Sequence, residues 1–336
     1  MTRLLMKICA ILFPATMLVP AGCSKEEVID ISRDLAIVVR VPADVDLGQR
    51  TPGDPGPASS QQIPRYLYFF TAYTSTEPAG QSSRVSAFSL SNLSPDSWTP
   101  TENATGTVVN YQRTVILPMP ATDEVMLYAI ASHDPIPDLQ AEVEKVQGGE
   151  AIDEAYVANL KLSARQKDGS TTVSIADVYA GTGKLLTDKD QIDANAEIVC
   201  YHVAAKFDVM YNLSDDFKKG EVYGDWRVSV FTLKNLLPSG YYFKPAENAP
   251  GENETSTEYT FTANEGNNFY GRFDTYIFQP APAEENALSF SWEVVLADKK
   301  GVEEERTLEH TSVVENFETE YATYFRLNVT VNGIGE

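Results

Sequence analysis

The chain has 336 residues, with 26 Lys and Arg against 48 Asp and Glu, for a formal net charge of −22. Such a surface repels polyanions, which excludes nucleic acid and anionic lipid headgroups as electrostatic partners. Its three cysteines, Cys9, Cys23 and Cys200, cannot build a disulfide framework, so the fold has to stand on its hydrophobic core.

Residues 1–22 read as an export signal. Arg3 and Lys7 supply the positive start, Ile8 to Val19 the apolar core, and Ala21-Gly22 the small residues before Cys23. The apolar stretch is shorter than the roughly 20 residues a membrane-crossing helix needs. An ordinary cleaved signal would leave Cys23 incidental. Leu18-Val19-Pro20-Ala21-Gly22-Cys23, however, resembles a lipobox in which Pro20 is the atypical position. That resemblance implies that Cys23 becomes the first residue and carries acyl chains, each buried methylene adding about 0.8 kcal/mol to membrane anchoring. Cys23-Ser24-Lys25-Glu26-Glu27 is also similar to the acidic surface-export signal of Bacteroidetes lipoproteins. Loss of Arg3 and Lys7 leaves 24 bases against 48 acids, a net of −24. Cys200 is then the one thiol remaining, and its apolar neighbours Ile198, Val199 and Tyr201 predict a buried, unreactive cysteine.

Past the signal, short runs rich in Val, Ile, Tyr, Phe and Thr alternate with Gly, Pro, Asn and Asp clusters, which predicts an all-β sandwich or barrel. Leu35 to Val41 is the first run, followed by a Pro-, Gly- and Ser-rich exposed loop from Thr51 to Pro64. Tyr66–Tyr73, Thr107–Leu117 and Glu124–Ala131 are further strands, the last nearly all apolar and therefore central. Ile136, Leu139, Val143 and Val146 fall three or four residues apart, predicting a short amphipathic helix that begins near Asp138. The polar segment from Thr187 to Glu197 places a domain boundary, taken at 190/191. Beyond it, Ile198–Tyr211, Trp226–Leu236, Phe269–Phe278, Ala287–Ala297 and Tyr321–Val331 read as strands, with Gly240–Thr257 as an exposed excursion. No short-period repeat is visible, which argues against a solenoid or propeller.

The search for catalytic chemistry is negative. His133, His202 and His310 lie in separate segments, and the pairing of His202 with Cys200 is half of a zinc site with no second half. No G-x-S-x-G elbow or H-E-x-x-H helix is present. Gly181-Thr182-Gly183-Lys184 departs from a phosphate loop at Val178 and Leu185 and reads as a turn. Asp188-Lys189-Asp190 and Glu303-Glu304-Glu305 lack the alternating spacing of a calcium loop and read as solvated loops. No pair of carboxylates is singled out for glycoside hydrolysis. The chain is therefore read as a non-enzyme with neither cofactor nor metal. Of the tryptophans, Trp226 and Trp292 fall in strands. Trp98, in a Ser- and Pro-rich loop, is the candidate for stacking against a ligand such as a sugar.

Taken together these pieces resemble the Bacteroidetes fimbrillin family, the subunits of type V pili. The layout agrees over most of the mature chain: a lipobox, a first strand at Asp34–Val41, and an arginine-bearing loop. Tyr201-His202-Val203-Ala204-Ala205-Lys206-Phe207-Asp208-Val209 is similar to the strand that opens the family's second domain. Tyr321-Ala322-Thr323-Tyr324-Phe325-Arg326-Leu327-Asn328-Val329-Thr330-Val331 is similar to its closing strand.

The resemblance implies two tandem transthyretin-like β-sandwiches, at 51–190 and 191–336, with the helical excursion in the first and a propeptide at 23–50. It also implies a mechanism. A lipidated precursor reaches the outer membrane, a trypsin-like protease removes the first strand, and another subunit inserts a donor strand in its place. Arg50, in a polar Pro/Gly-rich loop, is the candidate cut site, leaving Thr51 as the new N-terminus. Arg40 is the rival, but pairing within a strand would protect it. The last residues, Asn332 to Glu336, are too short and Gly-rich for a donor strand, which leads to the expectation of a tip subunit contacting a host or bacterial surface. The other reading is a surface lipoprotein that never polymerises and either binds glycan or anchors a pilus.

Overall fold

Every second residue of the first strand is apolar, and that alternation fixes its place. In the computed structural model the described residues are 32–43, 63–75, 82–120, 124–186, 196–213, 223–236, 238–243, 257–262, 270–278, 289–298, 303–310 and 324–331. The first strand is β1 (Ser32–Pro42). Next come β2 (Tyr66–Ser75), β3 (Ser82–Leu90), β4 (Thr99–Glu102), β5 (Val108–Pro120) and β6 (Glu124–Ser132). Two helices follow, α1 (Pro137–Gln147) and α2 (Glu154–Ala158). After them come β7 (Lys161–Ser163), β8 (Val178–Leu186), β9 (Ala196–Val199) and β10 (Tyr201–His202).

These strands form two facing sheets, one ordered β4-β5-β1-β9 and the other β10-β8-β6-β2-β3. The core between them takes Leu35, Ile37, Val39 and Val41 from β1, Leu117 from β5, Leu67 and Phe69 from β2, and Leu127 from β6. The second sheet is covered on both faces. Tyr68, Phe70 and Ile130 point away from the first sheet, into a second core under Leu139, Val143 and Val146 of α1. Two-sided burial explains why β6 is almost continuously apolar, as its sequence predicts for a central strand.

The helix forms where the periodicity places it. Pro137 opens it at a position that tolerates a missing N–H, and the Ile136 N–H donates to Tyr68 Oη at 3.1 Å. Beyond it, Gly149 takes φ +86°, a left-handed backbone that glycine adopts without strain. The short α2 starts where the Asp153 carboxylate accepts the Tyr156 N–H at 2.8 Å.

The remaining strands are β11 (Ala205–Leu213), β12 (Tyr223–Leu236), β13 (Ser239–Tyr241), β14 (Thr257–Thr262) and β15 (Tyr270–Ile277). The last three are β16 (Ser289–Asp298), β17 (Glu303–His310) and β18 (Tyr324–Val331). They make sheets ordered β15-β11-β18 and β14-β12-β16-β17. This arrangement repeats the first half. In each half the opening strand lies between an antiparallel partner (β5, then β15) and a parallel one (β9, then β18). The other sheet runs β3-β2-β6-β8 in the first half and β14-β12-β16-β17 in the second. No short period in the sequence announces this repeat, because it is one of strand order.

β13 pairs antiparallel with β7, and Tyr242, Phe243 and Phe278 join the core beneath α1, so chain from the second half completes the packing of the first.

The structure has the all-β sandwich architecture expected from the sequence, and four local expectations change. The single strand expected at Ile198–Tyr211 is three: β9 in the first sheet, β10 in the second, and β11 beyond. The run looks continuous in sequence because half of β9 is apolar and buried, and the buried Val203 and Ala204 bridge β10 to β11. Gly181-Thr182-Gly183-Lys184 is not a turn but the middle of β8, where β9 passes so close that a Cβ on Gly181 would lie 2.2 Å from the Val199 carbonyl oxygen. Gly240 to Phe243 is not exposed excursion: Tyr242 and Phe243 are buried against the first half. Glu303-Glu304-Glu305 opens β17, an edge strand, where charge discourages pairing with another chain. The boundary at 190/191 lies outside the described residues, and residues 196–202 pair with the first two sheets.

Candidate functional site

The residue types of β1 make it a core element. It holds an interior position of its sheet, antiparallel to β5 over all eleven residues and parallel to β9 from Ile37 to Arg40. Leu35, Ile37, Val39 and Val41 are buried, with the last three fully so, while Asp34 and Ala36 face outward. Full burial of such side chains contributes about 1.5–3 kcal/mol each. Every other described strand follows β1 in the chain, and residues 43–65 connect it to the next one.

The bed of β1 is an apolar trough. Its floor is the second sheet, with Phe69, Leu127 and Ala129 among the contributors, and its walls are β5 and β9. At the β9 wall, the Cys200 N–H donates to the Arg40 carbonyl at 2.7 Å. The Ala43 N–H donates to the Val109 carbonyl at 2.9 Å, extending the pairing one residue past Pro42. On the outer face Arg40 Nε lies 2.9 Å from Glu197 Oε1, but the N–H is not aligned for a hydrogen bond. Both side chains are about a third exposed, so this ion pair adds little to the hold on β1. Arg113, opposite Val39 on β5, keeps Nε and Nη1 from solvent with no acceptor among the described residues, which is a cost at that point of the trough.

Cys200 is fully buried in the same core as Ile37 and Val39, and burial pushes its thiol up to about 12. It is the packed, unreactive cysteine its neighbours predict. Its Sγ lies 3.9 Å from the Ala129 carbonyl, a weak contact.

Cys23, Arg50 and Thr51 lie outside the described residues. Arg40 is paired on both sides, with Gln112 and with Val199, as its place within a strand implies. The Trp98 expectation is corrected. Its ring is 4 % exposed and packs in the core between the two sheets, and its indole N–H donates to the Pro64 carbonyl at 2.9 Å. The loop around it is polar because its other residues face solvent, while the indole closes the end of the sandwich. Truncation of Trp98 to Ala is expected to cost about 3–5 kcal/mol of unfolding free energy, measured by urea titration. A Phe substitution is expected to cost less, leaving the Pro64 carbonyl without its donor.

His202 lies on β10 with Nδ1 3.0 Å from the Ala176 carbonyl and its ring against Tyr179 at 4.6 Å. His133 Nδ1 lies 3.1 Å from the Ile63 carbonyl. Among the described residues no group of three His, Cys, Asp or Glu side chains is placed to hold a metal ion.

No family model matches this sequence, and no curated protein sequence does. Solved structures do match. A protein from Bacteroides eggerthii assigned to cell adhesion aligns over 90 % of this chain and 88 % of its own, at 10 % identity and a TM-score of 0.51. A fimbrial assembly protein from Parabacteroides distasonis aligns over 90 % and 92 %, at 14 % identity and a TM-score of 0.46. The fimbrial anchor protein Mfa2 from Porphyromonas gingivalis aligns over 89 % and 91 %, at 12 % identity and a TM-score of 0.38. Over nine-tenths of its length, then, this chain has the fold of the Bacteroides eggerthii adhesion-class protein.

Proposed function

We propose that the chain is a structural and adhesive subunit of a cell-surface fimbrium of the type V kind, assembled by protease-triggered strand exchange, and not an enzyme. The observation that supports this reading most is the contradiction in β1: a fully packed interior strand that a single cut after it would release. Its departure leaves unpaired edges on β5 and β9 above an apolar trough, an acceptor that a strand from another subunit fits. Cys23 carries the lipid that delivers the precursor to the outer membrane. Cleavage between Arg50 and Thr51 releases residues 23–50 and leaves two sandwiches, the first reaching through β10 and the second opening at β11. The repeated strand order supports a tandem arrangement, in which β11 is the second sandwich's counterpart of β1. A tip position, in contact with a host or bacterial surface, is part of the same proposal.

The test is the N-terminus and lipid status of the protein on intact cells, read by mass spectrometry. A form starting at Thr51 without lipid is the expected result. A surface form starting at acylated Cys23 would overturn strand loss and leave an anchor or a non-polymerising surface lipoprotein. Cleaved, purified protein that polymerises without other subunits would remove the tip assignment.

A further inference from the structure

β1 does not match its bed at every position. Leu35 stands against Leu117, Ile37 against Val115 and Val41 against Tyr111, so these inward residues meet apolar or aromatic partners. Val39 is different: fully buried, it stands opposite Arg113. Residues directly opposite across two strands hold their side chains on the same face, with Cβ atoms about 5 Å apart. The Arg113 side chain therefore leaves β5 on the inward face of the sheet. Tyr111, two residues away on that face, packs against the core.

An inward guanidinium needs acceptors, because it keeps its charge at every ordinary pH. Arg113 has none at Nε or Nη1, and both atoms are closed off from solvent. On the outer face Arg40 at least has Glu197 within 2.9 Å, whereas Arg113 has no such carboxylate among the described residues. A buried charge without its partner is strongly destabilising, and the Val39 side chain offers nothing to relieve it.

The chain as a whole works against an acidic visitor, since its net charge is −22. Selection for a carboxylate here has to come from Arg113 itself, at short range. It is also confined to one position. A carboxylate at the place of Leu35 or Ile37 would face Leu117 or Val115, with no cation opposite.

We infer that the strand this trough accepts best carries a glutamate where β1 carries Val39, and apolar residues at the places of Leu35, Ile37 and Val41. Such a partner presupposes the strand exchange proposed above. In the register of β1, its carboxylate would supply the acceptor that Arg113 lacks, through a charge-assisted hydrogen bond. A second copy of β1 repeats the mismatch, so the preferred donor is a strand of different sequence.

Two measurements test this, the first on the uncut chain and independent of strand exchange. Val39→Glu and Arg113→Met are combined in a double-mutant cycle of thermal midpoints. With Arg113 in place, Val39→Glu should leave the midpoint unchanged or higher. In the Arg113→Met chain, which keeps an unbranched stem without the charge, the same change should lower it. An equal loss in both chains would overturn the inference. The second measurement uses protein cut between residues 50 and 51 and freed of its N-terminal piece, with synthetic peptides of residues 32–42. The Val39→Glu peptide should bind tighter than the parent peptide by about tenfold or more, and Arg113→Met should reverse the order. A parent peptide that binds as tightly as its Val39→Glu form would overturn the inference and leave strand exchange standing. Binding of neither peptide would overturn strand exchange itself, and the inference with it.

Discussion

Removing β1 is expected to convert Cys200 from an inert thiol into a reactive one, and adding the strand back as a peptide is expected to reverse it. Cys200 shares its core with Ile37 and Val39, is fully buried, and gives its N–H to the Arg40 carbonyl. Two effects therefore change together when β1 leaves: the thiol gains access, and its titration falls from about 12 towards the ordinary value near 8.5. The reactive thiolate fraction at neutral pH rises by about three orders of magnitude on the second effect alone. Four buried side chains at about 1.5–3 kcal/mol each give roughly 6–12 kcal/mol for the packing of β1, comparable with the about 5–15 kcal/mol net stability of a whole domain. A chain that has lost β1 would thus be left near unfolding, and in the proposed strand exchange that deficit would drive the uptake of another strand.

The measurement is the labelling rate of Cys200 by a maleimide in protein cut between residues 50 and 51 and freed of its N-terminal piece. General unfolding would also expose the thiol, so the deciding arm is a synthetic peptide of residues 32–42. That peptide should restore protection, and the same peptide carrying Ile37→Asp and Val39→Asp should not. Unchanged labelling after β1 is gone, or protection by both peptides alike, would sink the strand-exchange reading.

The topological repeat bears on why the proposed exchange involves β1 and not β11. Both lie between an antiparallel and a parallel neighbour. β11, however, is tied at its start through Val203 and Ala204, both buried, to β10 in the sheet of the preceding half. A cut before β11 would release nothing, because chain on either side of it is paired. A cut after β1 leaves β1 with no covalent tie to the sheets it completes.

Where one physical cause dominated a segment, the sequence was readable. β1, β2, β6 and α1 each bury a regular stripe or a whole strand, and their residues announce it. β3, with four serines in nine residues, and the charged edge strand β17 were missed because their partners specify them more than their own apolar content does. Trp98 was misread for a related reason. Its neighbours are exposed and polar, and its burial depends on Pro64, a contact 34 residues away that no local pattern reveals. The trough under β1 was legible as an implication of the family resemblance. Cys200 at its wall was read from the sequence only as a buried thiol.

Gly181 carries the other large expected effect. A Cβ there would lie 2.2 Å from the Val199 carbonyl oxygen, 2.9 Å from its carbon and 3.0 Å from the Cys200 Cα, all of them backbone atoms. Backbone cannot swing aside as a side chain can, so Gly181→Ala has to displace β9 from β8. Overpacking of this kind costs about 1–3 kcal/mol and sometimes more, and contact with backbone puts this case at the upper end. For a unit of 150–250 residues unfolding on its own, about 3 kcal/mol corresponds to a loss of roughly 6–12 °C in thermal midpoint. Gly183→Ala is the internal control. Its nearest contact is the Ile198 Cγ1 at 3.2 Å, which can shift by a few tenths of an ångström, so its midpoint should stay close to that of the parent. Because β9 is also the parallel partner of β1, the Gly181→Ala strain reaches the bed of β1: Cys200 in the uncut variant should label faster than in the parent, and Gly183→Ala should not change the rate. Equal midpoints for the two variants would mean that β8 and β9 do not approach as described, and the crossing that makes one wall of the trough would have to be redrawn.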